Sequence, residues 1–165
     1  MLIERTTLLS CSAQRCFEEV QKSALLQQVA APLVRFVPLE PASFPERWEP
    51  KEYLVSVRLF GFLPAGRQRI NLSIRERSAE MGRFHVELRD NGRGTLASTW
   101  DHLIVIQALE QGCSYTDRVT VKAGILTPLV WSFAWIFYRH RQRRWRRLAG
   151  SGFSYGPGPS NSPRG

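Results

Sequence analysis

Lysine is scarce in this chain, with three residues against twenty arginines. Arginine-rich codon usage would produce so one-sided a bias. The formal charge of +9 and pI near 10.3 are therefore weak grounds for a phosphate-binding surface. Cysteine is too sparse for a disulfide scaffold. Cys11, Cys16 and Cys113 cannot all pair, and no two have zinc-knuckle or redox CxxC spacing, so they read as reduced residues of a cytoplasmic protein. Long apolar runs are missing too. The strongest, Ile125 to Tyr138, spans 14 residues and is interrupted by Pro128, whereas a spanning helix takes about 20. The opening MLIERTTLLSCSAQR carries charge too early, and too short an apolar stretch, for a secretory signal. There is no GxxxxGK[ST] phosphate loop, HExxH, paired CxxC motifs or GxSxG elbow. With three histidines and no second cluster, neither a metal site nor a cofactor is expected.

What is present is the composition of one globular domain: 165 residues, 43% hydrophobic and 22% charged. MLIERTTLLS reads as a strand. Ser12 can cap a short helix whose Cys16, Phe17 and Val20 share a face, and SALLQQVA forms a second helix that stops before Pro32. PLVRFVPLE is a short strand, and the prolines of PASFPERWEP mark a loop. Period-two alternation follows. It places Tyr53, Val55, Val57 and Leu59 on one face, then Ile70, Leu72 and Ile74, then Phe84, Val86 and Leu88. DNGRG (90–94) reads as a turn. Beyond it, Trp100, His102, Ile104 and Ile106 share a face, as do Tyr115, Asp117, Val119 and Val121. Strands linked by short turns, with the helices segregated, imply an α+β fold: about seven antiparallel strands curved around one long C-terminal helix, with two short helices after strand 1. The domain is expected over 1–149, followed by a disordered Gly/Pro/Ser-rich tail over 150–165.

Three motifs stand in sequence: WDHLIVI with Trp100 and His102, CSYTDRVTV with Asp117, Arg118 and Val119, and IFYRHR with Tyr138, Arg139, His140 and Arg141. In that order they resemble the SRPBCC superfamily of START- and birch-pollen-allergen-like proteins, in particular a bacterial branch with W-x-H-x-H-x-F, T-x-L-x-D-R-V-x-Y and F-x-Y-R-H-R. Ile104 and Ile106 stand where that branch has its second His and its Phe, which makes this site more apolar. The resemblance implies a helix-grip fold enclosing a hydrophobic ligand between sheet and helix. Relatives include lipid and quinone carriers, polyketide cyclases and aromatases.

The terminal helix, Thr127 to Leu148, gathers Val130, Phe133, Ala134, Phe137, Tyr138, Trp145 and Leu148 on one face. Arg139, Arg143 and Arg146 lie opposite, while Arg141 projects into the apolar face. Half of the helix is thus committed to packing, which argues against a nucleic-acid reader and leaves weak contact with an anionic membrane surface as a secondary property. The expected ligand-binding residues are Tyr53, Val55, Val57, Ile70, Leu72, Phe84, Val86, Trp100, His102, Tyr115, Asp117, Val130, Phe133, Phe137 and Arg141. The expected function is binding of a hydrophobic small molecule (lipid, isoprenoid, quinone or polyketide-like) by a carrier or sensor. The first alternative is a cyclase- or aromatase-type enzyme with His102 and Asp117 as catalytic candidates, although nothing in the sequence requires an enzyme. The second is a surface module using the basic helix.

Overall fold

The computed structural model describes residues 1–78 and 84–155. In chain order it holds β1 (Leu2–Leu9), α1 (Ala13–Val20), α2 (Ser23–Ala30), β2 (Val34–Glu40), β3 (Glu52–Leu59), β4 (Leu63–Ser78), β5 (Phe84–Gly94), β6 (Thr99–Ala108), β7 (Cys113–Lys122) and α3 (Thr127–Gly150). This is the expected element order and the expected helix-grip architecture. The sheet is antiparallel throughout and runs β1-β7-β6-β5-β4-β3-β2. Strands β2 to β7 form a meander, while β1 pairs with β7 on the far edge. The chain must therefore cross from one edge to the other between β1 and β2, and it does so through the two short helices.

Local chemistry sets these elements. The Ser12 hydroxyl accepts the Arg15 N–H at 3.1 Å, capping α1, whose Cys16, Phe17 and Val20 are buried. Helix α2 ends before Pro32 and buries Leu25, Val29 and Ala30. Pro38 sits in β2 on the sheet edge, where a missing donor is tolerated. Among the described residues, no helix is long and apolar enough to cross a membrane.

Two boundaries differ from those expected. DNGRG is not a turn: β5 continues through it to Gly94, and the reversal comes at 95–98. Gly92 and Gly94 serve a close approach instead, since a Cβ would stand 2.7 Å from the Arg69 carbonyl oxygen and 2.6 Å from that of Arg67. At the C-terminus the chain stays packed beyond 149. Phe153 is buried, its N–H bonds the Leu148 carbonyl at 2.8 Å, and its ring meets Trp145 edge-on at 5.9 Å. Tyr155 donates its hydroxyl hydrogen to buried Glu19. The remainder of the expected tail, 156–165, lies outside the described residues.

The core is divided. One cluster joins α1, α2 and the end of α3 to Val86, Leu88, Ile104 and Ile106. A second centres on Val119, Val121, Ala134, Phe137 and Tyr138. In the third, Phe44 and Trp48 of the long loop close over Tyr53, Val55 and Ile70. Space is left where these clusters meet.

Candidate functional site

Alternation on the three central strands aims a set of polar side chains at α3. Asp90 of β5 is paired with His102 of β6, and Asp117 of β7 with Ile104, so both carboxylates neighbour His102 on the concave face. Helix α3 crosses above them and presents Tyr138, Arg141, Gln142 and Trp145, all buried.

Asp117 organises this cluster. It is fully buried and lies 2.8 Å from His102 Nε2. It accepts hydrogen bonds from the Tyr115 hydroxyl at 3.0 Å and Gln142 Nε2 at 3.1 Å. Arg141 donates from Nη2 to the Tyr115 oxygen at 2.9 Å, and its Nε stands 3.4 Å from the Asp117 carboxylate. Burial would raise the Asp117 pKa, but the Arg141 charge and the His102 hydrogen bond outweigh it and hold the carboxyl below its ordinary value. Burial lowers the His102 pKa more than Asp117 raises it, so the imidazole is neutral near pH 7. A neutral ring beside an ionised carboxylate carries its proton on Nε2, which leaves a lone pair on Nδ1. Arg141 stays charged: burial opposes the charge, but Tyr115 and Asp117 more than compensate.

Two spaces with shared walls lie here, the first of them lined by the cluster's own residues. An inner chamber of about 100 Å³ is bounded by Leu25 and Leu26 of α2, Ile70 and Leu72, Asp90, Trp100 and His102, and by Phe137, Tyr138 and Arg141 above. An outer chamber of about 330 Å³ lies toward the start of α3, among Val57, Leu59, Leu96, Leu129, Val130 and Phe133. Phe36, Gln68, Trp100 and Phe137 border both. Trp100, Tyr138 and His102 form a continuous aromatic wall, with Tyr138 at 6.3 Å from Trp100 and 5.0 Å from His102.

Of the residues expected from the sequence, Ile70, Leu72, Trp100, His102, Phe137 and Arg141 line the inner chamber. Val57, Trp100, Val130, Phe133 and Phe137 line the outer one. Six others line neither chamber. Tyr53 and Val55 are covered by Phe44 and Trp48, and Val86 and Phe84 by the first helices. Tyr115 and Asp117 lie behind His102 and Arg141. The face was right in each case, but α1, α2 and the long loop fill part of it. Sequence reasoning missed Asp90. Its carboxylate accepts the Asn71 N–H at 2.9 Å, and burial in the chamber wall pushes its pKa up to about 7, the Asn71 bond opposing. The alternation Phe84, Val86, Leu88 continues to Asp90, but the turn signal of the following Asn-Gly concealed it. Gln68 and Phe36 were missed because polar and edge-strand residues give no inward signal.

The family model described as "Domain of unknown function (DUF8410)" matches residues 7–149. The chain belongs to that family. No curated protein matches the sequence. Among solved structures, a START superfamily protein from Mycobacterium smegmatis is similar, with a TM-score of 0.60 and 16% identity over 91% of this chain and 97% of that one. A protein from Chromobacterium violaceum has a TM-score of 0.61 and 12% identity over 90% of this chain and 96% of that one. The Zhui aromatase/cyclase from Streptomyces sp. R1128 has a TM-score of 0.50 and 11% identity, covering 93% of each chain. At such identities the likeness establishes the fold. This member of DUF8410 has the SRPBCC-type fold expected from its three motifs.

Proposed function

We propose that this DUF8410 protein is a cytoplasmic carrier or sensor that binds an amphiphilic small molecule, with an apolar body in the outer chamber and a polar group among Asp90, His102 and Arg141. The observation that carries this reading is the polarity step across the shared ring of Phe36, Gln68, Trp100 and Phe137. On one side lie Val57, Leu129, Val130 and Phe133, and on the other a neutral imidazole, a carboxyl near its midpoint and a buried guanidinium. Apolar contact would stabilise the complex by on the order of 25 cal/mol per Å² buried, before association costs. The polar groups would set orientation.

The test is displacement of a fluorescent fatty acid. Wild type should bind it, and Phe133→Arg, at a half-buried position that can bring its charge to solvent, should weaken binding at least about tenfold without unfolding the protein. Equal binding by both proteins would refute the outer chamber as the site.

A second reading is favoured by one geometric fact, the 2.8 Å contact of His102 with Asp117, which holds the ring in one tautomer with Nδ1 as the base. An enzyme of the cyclase or dehydratase class would use that nitrogen to take a proton from a bound substrate. His102→Ala would then abolish turnover of a β-polyketone probe and leave its binding intact. No wild-type turnover eliminates this reading.

A further inference from the structure

Cys11 and Cys16 are close in sequence, and the fold brings distant Cys113 into the same core cluster. Cys11 lies just beyond β1, Cys16 on the first turn of α1, and Cys113 opens β7. The meeting follows from the backbone. Leu9 pairs with Cys113 across β1 and β7, and the turn before β7 is so close to β1 that a Cβ on Gly112 would sit 2.1 Å from the Leu9 carbonyl oxygen. Ser12 then starts α1, and the Cys16 N–H bonds its carbonyl at 2.9 Å, which sets Cys16 in the first turn of the helix that follows Cys11. The three side chains share one core cluster, with Cys11 packed against buried Cys16 and Cys113, and all three are free. Their exposures differ: Cys16 and Cys113 are fully buried, while Cys11 is half-buried.

We propose that this trio is a peroxide-reactive redox site, in which Cys11 is oxidised and Cys113 resolves it to a disulfide. Electrostatics point the same way. Hydrogen bonds from Cys113 and Cys16, with Arg15 nearby, hold Cys11 well below the ordinary thiol pKa. Cys16 and Cys113 are pushed up, chiefly by their hydrogen bonds with Cys11. The half-buried thiol is thus the most acidic of the three. Metal ligation is a poorer reading, since among the described residues no group of three such side chains is arranged to hold an ion.

The chemistry balances with hydrogen peroxide as oxidant. The Cys11 thiolate attacks one peroxide oxygen, the O–O bond breaks, and hydroxide leaves, giving a sulfenic acid. The Cys113 sulfur then attacks the Cys11 sulfur. An S–S bond forms, the S–O bond breaks, and the oxygen leaves as water with the Cys113 proton. Two thiols supply the two electrons that peroxide takes.

Peptide mapping tests the assignment, because trypsin separates the three cysteines onto residues 6–15, 16–22 and 94–118. The reduced full chain, treated with stoichiometric peroxide and digested without reductant at mildly acidic pH, should yield 6–15 linked to 94–118. In Cys113→Ser, Cys11 should instead be trapped by dimedone. In Cys11→Ser, the other two should stay reduced. Iodoacetamide at pH 6 should modify Cys11 at least about tenfold faster than glutathione. A bridge through 16–22, oxidation persisting in Cys11→Ser, or Cys11 reacting no faster than glutathione would overturn the proposal. Circular dichroism of both variants separates loss of chemistry from loss of fold.

Discussion

Asp117 answers to an imidazole, a phenol, an amide and a guanidinium, all buried with it. Replacing it with Asn keeps the shape but leaves Arg141 without its counter-charge. Asp117→Asn should cost about 3–5 kcal/mol by urea denaturation. Because the folded pKa of Asp117 is depressed, that contribution is full above the unfolded value near pH 4 and is lost as pH falls through the folded value. The gap between wild type and variant should therefore hold from pH 5 to 8 and close only in stronger acid. A constant gap at every pH would contradict the assignment. Asp90 has the opposite sign. Its folded pKa is raised to about 7, so the native state holds a proton that the unfolded chain has lost, and stability falls between about pH 4 and 7. Asp90→Asn, which keeps an acceptor for the Asn71 N–H, should melt above wild type at pH 8 and level with it near pH 4. His102 acts in an overlapping window with the reverse slope, so the difference between the two proteins is the quantity to read.

At the scale of elements, much was legible in advance. Period-two alternation survives in β3, β6 and β7 because one side of each strand meets the core, and the inward arginine of α3 stood out because its neighbours on the wheel are apolar. Arg139, Arg143 and Arg146 are exposed while Arg141 is buried. What failed had physical causes. A dipeptide rich in Asn and Gly signals a turn from local preference, yet at Gly92 the absence of a side chain is used for contact between backbones. Gly92→Ala should therefore destabilise the β4–β5 pairing by about 1–3 kcal/mol. If its denaturation midpoint equals wild type, the close approach has no energetic weight. Nor could a linear pattern reveal which part of a concave face is already occupied, because α1 and α2 come over Val86 in the crossing from β1 to β2, and the long loop between β2 and β3 folds over Tyr53.

For the whole molecule, the charge of +9 divides into a small interior share and a large solvated one. Reversing Arg139, Arg143 and Arg146 together to Glu should leave the melting temperature within a few degrees, since exposed charges contribute little to stability. Retention on heparin at low salt should fall. A collapse of stability would show that the outer face of α3 has a structural role.

The pairing of β1 with β7 also fixes an order of events. During synthesis Leu2–Leu9 emerges first but has no partner until Cys113–Lys122 follows, a wait of roughly 5–20 s at ordinary elongation rates of about 5–20 residues per second. Strands β2 to β6 can assemble meanwhile, each with its neighbour in sequence, so closure by the first strand is the step with the longest loop to bring together. Cys11 and Cys113 flank that last seam. On a stalled ribosome, the chain length at which the two become cross-linkable would mark the moment the sheet is finished.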